Sequence, residues 1–396
     1  MRRRGTFTAA LAVGAALLIS SGSASARTAM PDLSSTSKVD SYLRSLGVDP
    51  ATVVVQRGAR NYAGSQCPGK AWNCTRATRV LQISSGGPNS FECTGGGGEG
   101  QTCFVSQSSP GGNTARCTEK SDAGGQSCQI HQTSTTGDNH AIVDQLVKQQ
   151  DGSSQTASQD SIVTQTSGTG DNDLHASQKI EQSSKDDSAT VAQSQDGHQS
   201  SSAAQTSVSG KQESQVNQSL SQEAKASDAT GGSQMQTSDI VGHLDQASAG
   251  VSKNHNRQDE DQKEFAPKDS AVAQTQYGPL DCCSDQGTNP KDHFDIDQSA
   301  TQLTSSDTPL QSESVTGHCT TTGTCSVRQS VNENGQHTTN TCTGSTCSIA
   351  VVCSETVCTP IIAPPPCGVD CSIGFLSVTR AVQAPRVSAP RRRMLR

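Results

Sequence analysis

The sequence predicts an all-β fold: a right- or left-handed β-solenoid, or β-helix, with repeats of roughly 20–25 residues, a short N-terminal helix and disulfide-stapled ends. Three observations carry this. Amides recur in a fixed order, Gln132, Gly137, Asn139, Ala141 and Gln145. Related copies lie at Gln107, Asn113 and Ala115, at Gln165, Gly170, Asn172 and Ala176, and at Gln329, Asn334 and Gly335. An amide side chain can hydrogen-bond to its copy in the next rung of a stacked β-structure. Cysteine units also repeat: Cys93 to Cys117 and Cys103 to Cys128 lie roughly 24–25 residues apart, and Cys319 to Cys342 and Cys325 to Cys347 roughly 22–23. Finally, large apolar residues are scarce. Leu, Ile, Val and Phe make up roughly 15% of the chain, below the ~20% at which disorder becomes a live alternative. Trp72 is the only tryptophan. A thick core is out of reach, because apolar burial must offset roughly 1–2 kcal/mol of backbone entropy per residue. A thin core of Ala, Ser, Val and stacked amides remains.

The elements follow in chain order. Residues 1–26 read as a signal peptide: Arg2, Arg3 and Arg4, an apolar stretch over 7–19, then Ala24-Ser25-Ala26. Its removal takes the formal charge from −7 to about −10. Residues 27–90 form a leader, a helix and a cap. The helix is expected over 37–46, capped by Ser37, with Val39, Tyr42, Leu43 and Leu46 on one face and Gly47 after it. Strands are expected over 51–56 and 78–84.

Residues 91–150 carry the cysteine-containing repeats. Residues 151–281 are a Gln/Ser-rich, cysteine-free solenoid, for which a disordered linker is the alternative. Short strands ending at Gln165, Gln193, Gln205 and Gln274 recur about every 10–13 residues, one per half-rung. The charged stretch 253–264 reads as a protruding loop or break. Residues 282–379 form a Cys-rich C-terminal solenoid or cap. Residues 380–396 form a basic tail with Arg380, Arg386, Arg391, Arg392, Arg393 and Arg396, suited to anionic polymers.

Secretion makes disulfides the expectation for the even cysteine count. The candidates are Cys67, Cys74, Cys93, Cys103, Cys117, Cys128, Cys319, Cys325, Cys342, Cys347, Cys353, Cys358, Cys367 and Cys371. Either neighbours close local loops or equivalent cysteines bridge rungs, and the paired spacing favours the local scheme. Vicinal Cys282 and Cys283 fit that local scheme poorly, since a bridge between chain neighbours is strained.

Gln132, Gly137, Asn139, Ala141 and Gln145 resemble the curlin-type repeat of bacterial surface amyloids. Asn139-His140-Ala141 to Gln145 matches its end, and Asp187-Ser188-Ala189 to Gln193 matches with Asp for Asn. Gln132 to Asn139 is two residues longer than that repeat. The resemblance covers about a third of the chain and excludes the cysteine units. It implies a parallel in-register solenoid able to stack into fibres, with the stapled ends here as caps. Cys67-Pro68-Gly69-Lys70 through Trp72-Asn73-Cys74-Thr75 resembles secreted proteins of high-GC Gram-positive bacteria, which implies compartment and not activity.

Catalytic signals are weak. Gly95, Gly97 and Gly100 spell G-x-G-x-x-G but lack the strand-then-helix setting of a dinucleotide loop. The cysteines lack zinc-knuckle spacing. No G-x-S-x-G or H-E-x-x-H occurs. His131, His140, His175, His198, His243, His255, His293, His318 and His337 are scattered in polar, turn-like contexts. Thr341-Cys342-Thr343, with Ser345 and Cys347, resembles the Thr-Cys-Thr repeat of small ice-binding solenoids. The expectation is a secreted, non-enzymatic structural or surface-interaction protein of the cell surface or medium, without cofactor, metal, nucleic-acid partner or transmembrane anchor. Its partners would be its own copies or cell-wall and extracellular polysaccharide. An ice-binding protein and a polysaccharide lyase on a β-helix are the lesser alternatives.

Overall fold

Parallel pairing between alternate strands builds the molecule. The structure is a computed structural model and describes residues 31–96, 101–122, 124–150, 152–267, 271–286, 289–305, 310–334, 336–354 and 357–361. Helix α1 (Thr36–Ser45) and a 3-10 turn (Pro50–Thr52) precede β1 (Val54–Gly58), β2 (Asn61–Ala63), β3 (Asn73–Thr75), β4 (Arg79–Ser84) and β5 (Asn89–Gly96). Then come β6 (Gln101–Ser109), β7 (Asn113–Ser121), β8 (Gly124–Ser134), β9 (Asn139–Gln150) and β10 (Ser154–Ser167). The long strands are β11 (Asn172–Asp186), β12 (Thr190–Ser207), β13 (Gln212–Ala226), β14 (Gly231–Ser248), β15 (Ser252–Phe265) and β16 (Ala271–Gln286). The last are β17 (His293–Thr304), β18 (Leu310–Glu333), β19 (Gln336–Ser354) and β20 (Val357–Ile361).

One face stacks β1, β4, β6, β8, β10, β12, β14, β16 and the first half of β18 in parallel. The other stacks β3, β2, β5, β7, β9, β11, β13, β15, β17 and the second half of β18. Each rung is thus one strand from each face, as a β-solenoid requires. β19 then folds back antiparallel along both halves of β18, and β20 pairs antiparallel with β19.

Rung size changes along the axis. Stacked glutamines are 25 residues apart at Gln82 and Gln107, 33 at Gln132 and Gln165, 40 at Gln165 and Gln205 and 31 at Gln298 and Gln329. The expected repeat of 20–25 residues therefore describes the N-terminal rungs, and the middle widens. The extra residues lengthen strands, from 9 residues in β7 to 18 in β12. The middle holds long strands rather than one short strand every 10–13 residues. Apolar clusters alone suggested short strands, but Ser and Gln between them keep the same inward–outward alternation.

Two local expectations are corrected. Residues 253–264 are not a loop; they lie in β15, where Asn254, Asn256, Gln258, Glu260, Gln262 and Glu264 are buried in strict alternation. The charges misled because most are outward members of that alternation, such as Arg257 with Asp259 and Lys263 with Asp261. The helix is capped by Ser35, whose Oγ accepts from the Lys38 N–H at 3.4 Å, so Ser37 sits inside the first turn. α1 also does not close the end of the stack. Its Val39 and Leu43 pack on Leu81 and Phe104, which face away from the lumen residues Gln82 and Val105. Tyr42 Oη lies 2.9 Å from Ser106 Oγ on that outer face.

Candidate functional site

The lumen is the chemically distinctive part of the molecule, and one corner of each rung organises it. The corner reads Gln-x-Ser-x-x-Gly-x-Asn at Gln82, Ser84, Gly87 and Asn89, at Gln132, Ser134, Gly137 and Asn139, and at Gln165, Ser167, Gly170 and Asn172. Ser134 Oγ donates to the Gly137 carbonyl and Ser167 Oγ to that of Gly170, each at 2.5 Å. The glycines pack backbone on backbone: a Cβ on Gly170 would overlap Gly137, and one on Gly210 would overlap Gly170.

Gln107, Gln132, Gln165 and Gln205 form one continuous column with Gln56, Gln82 and Gln246. Each Nε2 donates to the Oε1 one rung before it, at 2.6–2.9 Å. The second amide hydrogen of Gln132 goes across the corner to the His140 carbonyl, and that of Gln165 to the Asp173 carbonyl. The column begins at Gln56, which spends its hydrogens on the carbonyls of Tyr62 and Asn73. Asn113, Asn139 and Asn172 form the matching column with Asn61 and Asn89. Its donors point toward the next rung, opposite to the glutamines, so the two ladders' dipoles oppose each other.

The other predicted amides fall elsewhere. Gln145 donates to Glu119 at 2.9 Å and starts a column through Gln178, Gln218, Gln258 and Gln298 to Gln329. Gln329 therefore matches Gln145, not the corner residue Gln107. Gln193 and Gln274 stand in a separate column with Gln234 between them. Gln193 is thus out of register with Gln145, because the widened rungs add a column there. Asn334 ends β18's turn with φ 46° and donates to Gln311 at 2.9 Å.

Sequence reasoning missed two long ladders, Gln155–Gln195–Gln236–Gln276–Gln311 and Gln149–Gln182–Gln222–Gln262–Gln302. The readable signal was Gln-x3-Gln, as in Gln178 and Gln182 or Gln258 and Gln262, which puts two amides on one face of a strand. It also missed the corner serines and the buried acids Glu119, Glu260, Glu264, Glu313 and Glu333. Desolvation pushes the Glu119 carboxyl up to about 7, although the Gln145 amide opposes this.

Disulfides follow the local scheme: Cys67–Cys74, Cys93–Cys103, Cys117–Cys128, Cys319–Cys325 and Cys342–Cys347. Cys93–Cys103 and Cys117–Cys128 join the two faces within successive rungs. Cys282 and Cys283 lie in β16, opposite Gly242 and His243, and Cys353 is opposite Cys358. Cys367, Cys371 and all six tail arginines from Arg380 to Arg396 lie outside the described residues, as do Gly97 and Gly100.

All nine histidines lie on strands, not in turns. Several form outward ion pairs across rungs or along a strand: His140 with Asp173, His198 with Asp239, His243 with Asp245 and His293 with Asp295. Thr341 and Thr343 are exposed, but their partners across the strand are Arg328 and Ser326, so the Thr row does not continue. A shallow groove beside α1, lined by Thr36, Val39, Asp40, Val55 and Arg57, contains no nucleophile paired with a base. Among the described residues no helix is long and apolar enough to cross a membrane.

No family model, curated protein or solved structure matches the chain. Function therefore has to be argued from the lumen, the ends and the outer faces.

Proposed function

We propose that this is a secreted, non-enzymatic β-solenoid protein that serves a structural or surface-interaction role outside the cell. The observation that carries this is the reversal at β19. A parallel stack able to propagate into a fibre needs a terminal strand running with the stack, and β19 runs against it over both halves of β18. Disulfides at both ends of the solenoid favour an oxidising compartment. The curlin-type repeat then supplies the ladder chemistry while the cap prevents endless stacking.

The test compares the purified chain with one ending at residue 335, by light scattering and negative-stain microscopy. The intact chain is expected to give short single rods, and the truncated chain dye-binding fibres or end-to-end assemblies. Fibres from the intact chain would overturn the capped reading.

A second reading, binding of cell-wall or extracellular polysaccharide, is favoured by the outer faces. They repeat polar side chains in register, such as Thr133, Thr166 and Thr206, one per rung at roughly 4.8 Å. Pull-down on purified cell wall, with and without residues 380–396, tests it. Retention by neither form would remove it.

A further inference from the structure

Near its C-terminal end the lumen holds acids where other rungs hold amides or aliphatic groups. One column reads Ile180, Leu220, Glu260, Ala300, Val331, so Glu260 stands between a leucine and an alanine. Across the lumen is Gly278, where a Cβ would overlap both Glu260 carboxyl oxygens, so glycine makes the room. Glu313 follows Gly278 in that face. Its carboxyl comes within hydrogen-bond reach of Glu260 and accepts from Gln302 Nε2 at 3.0 Å. Glu333 follows Gln302 in the opposite face. Ser238 Oγ also donates to Glu260. Glu264, two inward positions further along β15, has both carboxyl oxygens without a partner.

Every charged side chain buried in the lumen here is a carboxyl: Glu260 and Glu264 on β15, and Glu313 and Glu333 on the two halves of β18. Asp239 on β14 and Asp261 on β15 act on Glu260 from the outer face, where they pair with His198 and Lys263. β17 contributes Ala300 and Gln302, and β16 contributes Gly278. Among the described residues no Lys or Arg side chain is buried. Two carboxyls within hydrogen-bond reach, with no cation, are held together by a proton. Ladder polarity demands the same of Glu333. Each amide of its column donates to the rung before it, so Gln302 Oε1, now without a donor, is satisfied when Glu333 carries a proton.

We propose that Glu260, Glu313 and Glu333 form a proton-operated lock that ties β15 and β17 to both halves of β18 and opens these rungs when the protons are lost. Desolvation raises all of these carboxyls, Glu333 to about 7 and neighbouring Glu264 to about 9. The neutral form is the folded form. Closure is therefore complete below the ordinary glutamate value of about 4.5 and is lost as pH rises through about 7.

Hydrogen-exchange protection mapped by strand in the purified chain, at a series of pH values from 5 to 9, tests the lock. Protection factors of β15–β18 are expected to fall at least tenfold across that range. Those of β10–β13, whose lumen holds no carboxyl, are expected to stay level. The triple variant E260Q/E313Q/E333Q, compared in a Glu264→Gln background so that this neighbouring carboxyl adds no titration of its own, keeps shape and hydrogen bonding and is expected to abolish the fall. Level protection in β15–β18, or an equal fall in the variant, would overturn the proposal. If the variant fails to fold, the infrared band of protonated carboxyls in the unaltered chain decides. Its disappearance in step with the exchange supports the lock, and its absence at pH 5 overturns it. Opening by a chelator at pH 5 would also overturn it, by showing that a metal ion holds the cluster.

Discussion

The Gln132 amide donates to Gln107 Oε1 at 2.9 Å and to the His140 carbonyl at 3.0 Å, while its own Oε1 accepts from Gln165. One side chain therefore ties three rungs and both faces. Gln132→Ala takes their amide donor from Gln107 Oε1 and the His140 carbonyl, at about 1–3 kcal/mol for each buried group left unsatisfied, while Gln165 keeps its bonds to the Asn139 and Asp173 carbonyls. Chemical denaturation is expected to show a loss of at least about 2 kcal/mol. Gln129→Ala on the same strand, pointing outward, is expected to change stability by less than about 0.5 kcal/mol. Equal effects from the two would contradict the ladder as a source of stability.

Gly170 tests the corner rather than the ladder. Its backbone lies against Gly137 on one side and Gly210 on the other, with no space for a Cβ. Gly170→Ala must push its rung away from that of Gly137 and is expected to cost about 1–3 kcal/mol or more. Gly152, with φ 140° and only ordinary contact around a Cβ, separates the effects: alanine there strains one residue's backbone but not the stack. A lowered melting temperature for both, but loss of exchange protection in neighbouring rungs only for Gly170→Ala, is the expected outcome.

The corner was legible in the sequence because it keeps its length. Gln132, Gly137 and Asn139 recur at Gln165, Gly170 and Asn172 with identical spacing, since packed glycines tolerate no insertion. The opposite corner has no such constraint, and rungs widen from it. That is why Gln193 and Gln329 were matched to the wrong columns: a fixed period cannot follow a rung growing from 25 to 40 residues. Residues 253–264 were misread because charge density outweighed alternation, and two of those charges, Glu260 and Glu264, point inward. The lock was illegible for the same reason. Glu260, Glu313 and Glu333 are far apart in sequence, and only the stacking register brings them together.

Glu119 heads the Gln145 column and only has to accept a hydrogen bond, which glutamine's Oε1 does equally well. Burial raises its carboxyl to about 7. A raised carboxyl contributes stability below about 4.5 and loses it as pH passes about 7. Glu119→Gln is therefore expected to stabilise the protein by about 1–3 kcal/mol at pH 8 and to be neutral at pH 4. Melting curves of both forms across pH check this, and a constant offset would contradict it.

The Cys117–Cys128 bridge closes a short loop, its ends 11 positions apart in sequence, and joins β7 to β8. Removing a loop constraint of that size is expected to cost about 3 kcal/mol. In a stacked fold the loss stays local at first. Cys117→Ala with Cys128→Ala is expected to lower exchange protection in β5–β8 while β10–β13 hold. A single cooperative melt lowered throughout would mean that the rungs are not independent.

Asp239 links the outer surface to the lumen. Its carboxylate lies 3.1 Å from His198 Nδ1 and raises that imidazole, with Asp160 and Asp196 adding to the effect. Its field also raises buried Glu260. Asp239→Asn is expected to lower both. The imidazole titration of His198, followed by NMR, moves toward or below its ordinary 6.5. Charged His198 stabilises the fold below that value and loses the benefit as pH rises, but it is half exposed, so the contribution stays within about 1 kcal/mol. The larger consequence is inside: with Glu260 easier to ionise in the closed rungs, its gap from the unfolded value narrows, and the opening of the C-terminal rungs between pH 5 and 9 is expected to cost less exchange protection than in the unaltered chain. A shift in His198 without a shift in that opening would show that Asp239 acts on the surface alone.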